Sequence, residues 1–198
     1  MQHLLDLTLK SPWVVSQISQ TPILLDELID PRRLYSPPSQ AEMVTELNET
    51  LAKIAPDDEE QLIDALRIFK KVNVLRVAAA DLTGAISLTK VSDKLTAIAE
   101  VIINKVLQLS WQTTVVKYGV PAGAKGNVVS GFSIIGFGKL GGFELGFSSD
   151  LDLVFLHRDY AEDEMTLGDK AVSLSVFYSR LVRRIISLLT IRTQSGPL

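Results

Sequence analysis

Between Ser133 and Leu156 the chain reads SIIGFGKLGGFELGFSSDLDLVFL, and this stretch limits the fold more than any other. An apolar strand pattern runs into a glycine-rich turn and a short polar connection. A second strand pattern follows, with two aspartates at its start. Upstream, apolar residues recur with the period of a helix; here the period falls to two. The switch predicts an α+β protein, with a helical domain over residues 1–127 and a smaller domain over residues 128–198.

The upstream helices can be followed from their punctuation. Ser11-Pro12 predicts a helix start, with Ser11 as N-cap and Pro12 in the first turn. Leu4, Leu5 and Leu7 precede it; Val14, Val15 and Ile18, then Ile23, Leu24, Leu25 and Leu28, carry the pattern on. Pro22 restarts the helix and Asp30-Pro31 closes it. YSPPSQ (35–40) reads as a connector. Residues 41–54 read as a short helix with Met43, Leu47, Leu51 and Ile54 on one face. Asp57 with Glu60 predicts a capping box opening a helix that runs to Gly84, with Leu62, Leu66, Phe69 and Val72 as its stripe. The run Ala78-Ala79-Ala80 predicts close helix approach. A further helix is expected from Ser92-Asp93, with Leu95, Ile98, Ala99, Ile102 and Val106 inward, stopped by Gly119 and Pro121.

GVPAGAKGN (119–127) reads as a glycine-rich linker. Strands are expected over Phe132–Ile135 and Asp150–Leu156, and an acidic loop over Arg158–Asp169. A last helix is expected over residues 170–190, with Val172, Val176, Leu181, Ile185 and Leu188 inward and Arg180, Arg183 and Arg184 outward.

Bulk properties exclude several classes. The chain has 198 residues, with 20 Lys and Arg against 23 Asp and Glu, a net charge of -3. That balance argues against a nucleic-acid partner. Cysteine is absent, so no disulfide framework or thiolate metal site is available, and a cytoplasmic protein is expected. No apolar run reaches the ~18 residues that span a bilayer. Asp6 and Lys10 interrupt the N-terminal apolar stretch, which has no cleavage site of a signal peptide. The mean hydropathy of +0.23 is high, and the chain ends on TQSGPL. Together these predict apolar faces that pack on something outside this chain.

The chemistry concentrates in the opening stretch. Strand alternation places Asp150 and Asp152 on one face, about 6.6–7 Å apart at their Cα atoms, and Leu151, Leu153 and Phe155 on the other. Paired carboxylates repel unless a cation lies between them. Hard oxygen donors in that arrangement suit Mg²⁺, which binds through one or two carboxylates plus substrate phosphates. Upstream, Gly136 to Gly142 offers backbone N–H groups that can approach phosphate oxygens closely. Lys139 is the cation of that turn, and Ser148 and Ser149 can donate hydroxyls. Together they read as the phosphate-and-metal half of a nucleotidyl-transfer site.

Other residues have plainer readings. His157 reads as structural, Glu144 as a salt-bridge or cap residue or equally as a catalytic one, Arg180, Arg183 and Arg184 as a solvated helix face, and residues 159–163 as a solvated loop. One competing motif is present: Gly136-x-Gly138-x-x-Gly141 matches the dinucleotide fingerprint, with Asp159 downstream. The short crossover from Gly138 to Ser149 speaks against it. A Walker A loop is excluded because Leu140 follows Lys139.

The string GFGKLGGFELGFSSDLDLVFLH resembles the glutamine synthetase adenylyltransferases, which attach AMP to glutamine synthetase and remove it. The likeness extends to SPWVVSQISQTPILLDELIDP (11–31), DDEEQLIDALRIFKKVNVLRVAAADLTG (57–84), KVSDKLTAIAE (90–100) and FYSRLVRRIISLLTIRTQSG (177–196). The family carries two related halves; LLDELIDP, AAADLTG and KVSDKLT are similar to the C-terminal, adenylylating one. The resemblance implies a helical domain followed by a DNA-polymerase-β-like nucleotidyltransferase domain with a small mixed sheet, here truncated.

It implies that Asp150 and Asp152 hold two Mg²⁺ ions. Gly138, Lys139, Gly141, Gly142 and Ser149 are then similar to the residues that bind the triphosphate of ATP. The substrate is a tyrosine of glutamine synthetase, and a PII-type signal protein is a further partner. Family members continue into a strand of the type Y-x-V-D-x-R-L-R-P with a third acidic residue. That strand is expected beyond Leu198, so this chain alone is expected to be inactive. Two alternatives stay open: the deadenylylating half of the same enzyme, and a non-catalytic docking or regulatory piece.

Overall fold

A computed structural model describes Leu7, residues 9–124 and residues 128–191. Leu4 and Leu5, residues 125–127 of the expected linker and the TQSGPL ending lie outside the described residues. The architecture is α+β: among the described residues, helices and their connections occupy the chain up to Tyr118, and every described strand follows.

Ser11 is extended and its hydroxyl accepts from the Val14 amide, so Pro12 opens α1, Pro12–Gln20. Pro22 restarts the chain as a 3₁₀ helix, Pro22–Leu28. Asp30-Pro31 does close this segment, as expected, and also opens a further short helix. Asp30 caps α2, Pro31–Leu34, by accepting from the Arg32 amide. A first-turn proline lacks only an N–H that would be unbonded anyway, so Asp-Pro opens a helix as readily as it closes one. At α3, Gln40–Leu51, Ser39 and Glu42 form a reciprocal capping box, which the connector reading of YSPPSQ hid. Met43, Leu47 and Leu51 are buried as expected, while Ile54 lies past the helix.

The next helix, α4, spans Glu59–Leu82 and is capped by Asp58, whose carboxylate accepts from the Gln61 amide at 3.0 Å. The expected cap was Asp57. Its carbonyl is used one step earlier, in a turn closed by the Glu59 amide at 3.1 Å. Helix α5, Leu88–Tyr118, starts ahead of the expected Ser92. The Val91 amide already donates to the Ser87 carbonyl, and Leu88 faces solvent, so the first turn carries little apolar signal.

By contact the described residues form two compact units. One takes those up to Ile102 together with Gly142–Ser149; the other takes those from Ile103 to Gly141 and from Asp150 to Ile191. In the first, Leu7, Val14, Leu24, Leu34, Leu75 and Ala79 share one buried cluster. Ala78 and Ala80 are buried beside Ala79, as the alanine run predicts.

Arg76 lies inside this unit with its side chain only 3% exposed. Its Nε donates to Glu27 at 2.7 Å and its Nη1 to Glu46 at 3.1 Å, tying the 3₁₀ segment and α3 to α4. Lys94 of α5 donates to the Pro37 and Pro38 carbonyls, which fixes the YSPPSQ segment.

In the second unit the linker and the acidic loop are partly strand. Val120–Pro121 is β1 and pairs antiparallel with Thr166–Leu167, β4. The buried Thr166 hydroxyl donates to the Tyr118 carbonyl and accepts from the Val172 amide, which holds the pair to the end of α5. Helix α7, Leu174–Thr190, starts at the Ser173 cap rather than at residue 170. Its stripe is therefore Leu174, Phe177, Tyr178, Leu181, Ile185 and Leu188, which leaves Val176 exposed instead of inward and Val172 ahead of the helix. Trp111 of α5 meets Phe177 edge-on at 5.4 Å.

Strands β2, Phe132–Phe137, and β3, Asp152–His157, pair antiparallel from Phe132↔His157 to Phe137↔Asp152. Between them lies one helical turn, α6, Gly138–Gly141, and the segment that leads back to β3. One face of the pair packs Phe132 and Phe155 toward Tyr178 of α7. The other presents Ile135, Phe137, Val154 and Leu156, all at least 40% exposed. No helix among the described residues is long and apolar enough to cross a membrane.

Two outcomes are expected. Arg76→Ala removes the buried partner of two ion pairs, stranding Glu27 and leaving Glu46 only its pair with Arg33, so urea unfolding should show a loss of about 3 kcal/mol. The Ser39 hydroxyl, and then the Ser39 amide, hold the Glu42 carboxyl below the ordinary glutamate range. A depressed acid stabilises above its unfolded pKa and loses that contribution as pH falls through its folded value. Protection factors of the amides in the first turn of α3, the exchange rates corrected for the intrinsic pH dependence, should therefore fall on acidification below the ordinary glutamate range, and Glu42→Gln should flatten the response.

Candidate functional site

The glycine turn is built by close approaches that leave no room for side chains. Gly138 has φ +55, a region that glycine enters without steric cost. A Cβ built there would lie 2.5 Å from Oδ2 of Asp152. A Cβ on Gly141 would lie 2.6 Å from the Gly136 carbonyl oxygen, so α6 folds directly back on the end of β2. The structure thus brings Gly138 and Asp152 together.

Asp150 stands differently from the expectation. Strand β3 begins at Asp152, so the alternation argument covers Asp152 alone. The cause is the turn itself: β2 ends at Phe137, the partner of Asp152, and Gly138 leads the chain away. Nothing in β2 is left for residues 150 and 151 to pair with. Leu151 accordingly lies ahead of the strand, 39% exposed rather than packed with Leu153 and Phe155.

Both carboxylates are exposed, and among the described residues neither makes a hydrogen bond or ion pair. Free, hard oxygen donors of this kind fit a hydrated divalent cation that takes its other ligands from substrate and water. Among the described residues no group of three or more His, Cys, Asp or Glu side chains is placed to hold a metal.

Lys139 is exposed on α6. Gly142 and Ser149 belong to the segment Gly142–Ser149 of the first unit. There the Ser149 hydroxyl accepts from the Gly146 amide at 2.9 Å, and the Ser149 amide donates to the Gly146 carbonyl. Ser148 and Glu144 face solvent. Phe143, between Gly142 and Glu144, holds φ +57, a conformation that costs a bulky residue on the order of 1–3 kcal/mol. Buried Leu145 and the packing of Phe147 against Trp13 at 5.6 Å anchor the same segment. Sequence reasoning missed the strain at Phe143, since nothing in GGFELGF marks it.

His157 is structural, as read. Its ring stacks on Tyr178 at 5.0 Å, and its Nδ1 lies 2.9 Å from the Arg158 carbonyl. Arg158 pairs with Glu164 and donates to the Ala122 carbonyl, which anchors the acidic loop. Arg180 lies over the Tyr118 ring at 4.2 Å, so that part of the arginine face is packed rather than only solvated. Burial raises the Tyr178 hydroxyl above the usual tyrosine range.

The dinucleotide reading fails on topology. A Rossmann unit needs parallel strands joined by a crossover helix, whereas β2 and β3 are antiparallel and separated by a single turn of helix. What stays is a tight glycine turn against the first residue of an aspartate-bearing strand.

The comparison by family covers the same stretch. The model of the family described as glutamate-ammonia ligase adenylyltransferase matches residues 1–198. Glutamate-ammonia ligase is glutamine synthetase, so the match falls on the family whose motif residues 136–157 resemble. The chain belongs to the glutamate-ammonia ligase adenylyltransferase family.

Proposed function

We propose that this chain serves the Mg²⁺-dependent transfer of AMP from ATP to a tyrosine hydroxyl of glutamine synthetase. The observation that carries the reading is the seating of Asp152 against the Gly138 turn, with its carboxylate exposed and free of protein partners. Residues 128–198 would carry the chemistry, on a domain of the DNA-polymerase-β kind, and residues 1–127 the helical scaffold.

Each residue has a stated task. Asp150 and Asp152 supply carboxylate oxygens to the metal. Divalent cations held there would neutralise charge at the α-phosphate and on the departing pyrophosphate. Lys139 extends from α6 as a mobile cation for the triphosphate. Gly138, Gly141 and Gly142 keep the turn free of side chains, so its backbone can lie close to phosphate oxygens. The Ser149 hydroxyl accepts from Gly146 and keeps its own proton to donate to a phosphate oxygen. In the reaction the tyrosyl oxygen bonds to the α-phosphorus, the bond from the α-phosphorus to the bridging oxygen breaks so that pyrophosphate leaves with its electron pair, and the tyrosine proton passes to water. A PII-type signal protein as regulator, a role in nitrogen assimilation and a cytoplasmic location belong to the same proposal.

Asp152→Asn keeps the shape of the side chain and removes its charge. In the intact enzyme, AMP incorporation into glutamine synthetase should fall at least about a hundredfold, the scale on which loss of one electrostatic group acts at a transition state. The circular dichroism spectrum should stay that of the parent. Near-normal incorporation in this variant contradicts the assignment.

A further inference from the structure

Gly138 stands apart from the other glycines of the turn because its missing side chain is replaced by a carboxylate. The hydrogen that a side chain would substitute points at Oδ2 of Asp152; a Cβ there would sit 2.5 Å from that oxygen and 3.5 Å from its Cγ. Ordinary contact begins near 3.4 Å, so an L-side chain there would displace the carboxylate end of the exposed Asp152 side chain from the place it holds. Three backbone features converge on this point. The β2–β3 ladder ends at Phe137↔Asp152. Gly138 turns immediately afterwards with φ +55. Gly141 lies close against the Gly136 carbonyl at the far end of the turn. An exposed aspartate without hydrogen-bond partners would otherwise sample several rotamers.

We propose that Gly138 is a positioning residue, a seat that fixes the Asp152 carboxylate in one orientation before any cation arrives. This deepens the proposed function and rests on it for the identity of what Asp152 holds. The gain is preorganisation: a ligand already oriented spends no ordering entropy when the cation binds. Gly138 is thereby assigned a role toward the metal carboxylate, beyond lining the triphosphate.

The test is a double-substitution cycle on the 198-residue chain without metal, read as thermal midpoint. Gly138→Ala should lower the midpoint by several degrees when Asp152 is present and by clearly less in the Asp152→Ala background. If Gly138→Ala does not fold, adding Asp152→Ala should restore folding. Equal losses in both backgrounds, or failure of that rescue, overturn the seat.

A second readout is Mn²⁺ binding followed by electron paramagnetic resonance. Gly138→Ala should weaken it at least tenfold. Gly84→Ala controls for backbone strain alone, since Gly84 also has positive φ (+71) but no atom within 4 Å of its Cβ position. It should leave Mn²⁺ binding unchanged. Unaltered Mn²⁺ affinity in Gly138→Ala also overturns the seat. Wild-type chain that binds no Mn²⁺, with the two substitutions still coupled, overturns the metal reading of Asp152 and leaves the seat standing.

Discussion

The β2–β3 ladder ends where its two strands stop facing one another, at Phe137↔Asp152, and the candidate site depends on that ending. Because the strands are antiparallel, the end of β2 lies beside the start of β3. A glycine turn after one strand is therefore brought against the first carboxylate of the other. A parallel pair would have put these residues at opposite ends of the sheet. The same termination frees Asp150 from the ladder and gives the two aspartates different local settings, one on a strand and one ahead of it. In the proposed metal reading, the two exposed carboxylates would offer their hard oxygen donors from these two settings.

Below this, the two units are held by different interactions. The first has an aliphatic cluster around Val14, Leu24, Leu34 and Leu75, crossed by the buried guanidinium of Arg76. Among the described residues, that arginine alone reaches glutamates from both the 3₁₀ segment and α3, so it sets how those pieces lie on α4. The second is organised by aromatic packing along α7: Trp111 on Phe177, then Phe132, His157 and Tyr160 around Tyr178. Stacked rings fix the inner face of β2–β3, and that leaves Ile135, Phe137, Val154 and Leu156 as the outer face.

Much of this was legible in the residues. Ser11-Pro12, the stripe Met43-Leu47-Leu51 and the strand–turn–strand order needed only local rules, because caps and periodicity act over a few residues. What could not be read was set by neighbours distant in the chain. Val120–Pro121 became a strand because Thr166–Leu167 lies beside it, a pairing across more than forty residues that leaves no mark in GVPAGAKGN. The start of β3 moved from Asp150 to Asp152 because β2 ran out of partners. The role of Gly138 was hidden for the same reason: glycine in a turn signals backbone freedom, and only the folded chain shows which atom fills the empty place. The cap at Asp58 and the capping box at Ser39 were local and readable; adjacent acidic residues and a proline-rich connector masked them.

The central claim is that Asp150 and Asp152 act with the glycine turn as a metal-dependent triphosphate site. Isothermal calorimetry of ATP binding, with and without Mg²⁺, tests it most directly, with NAD as the comparison ligand. The account predicts that ATP binds measurably only when Mg²⁺ is present and that NAD does not bind. ATP binding that persists unchanged when Mg²⁺ is chelated, or NAD binding as tight as that of Mg-ATP, would contradict it.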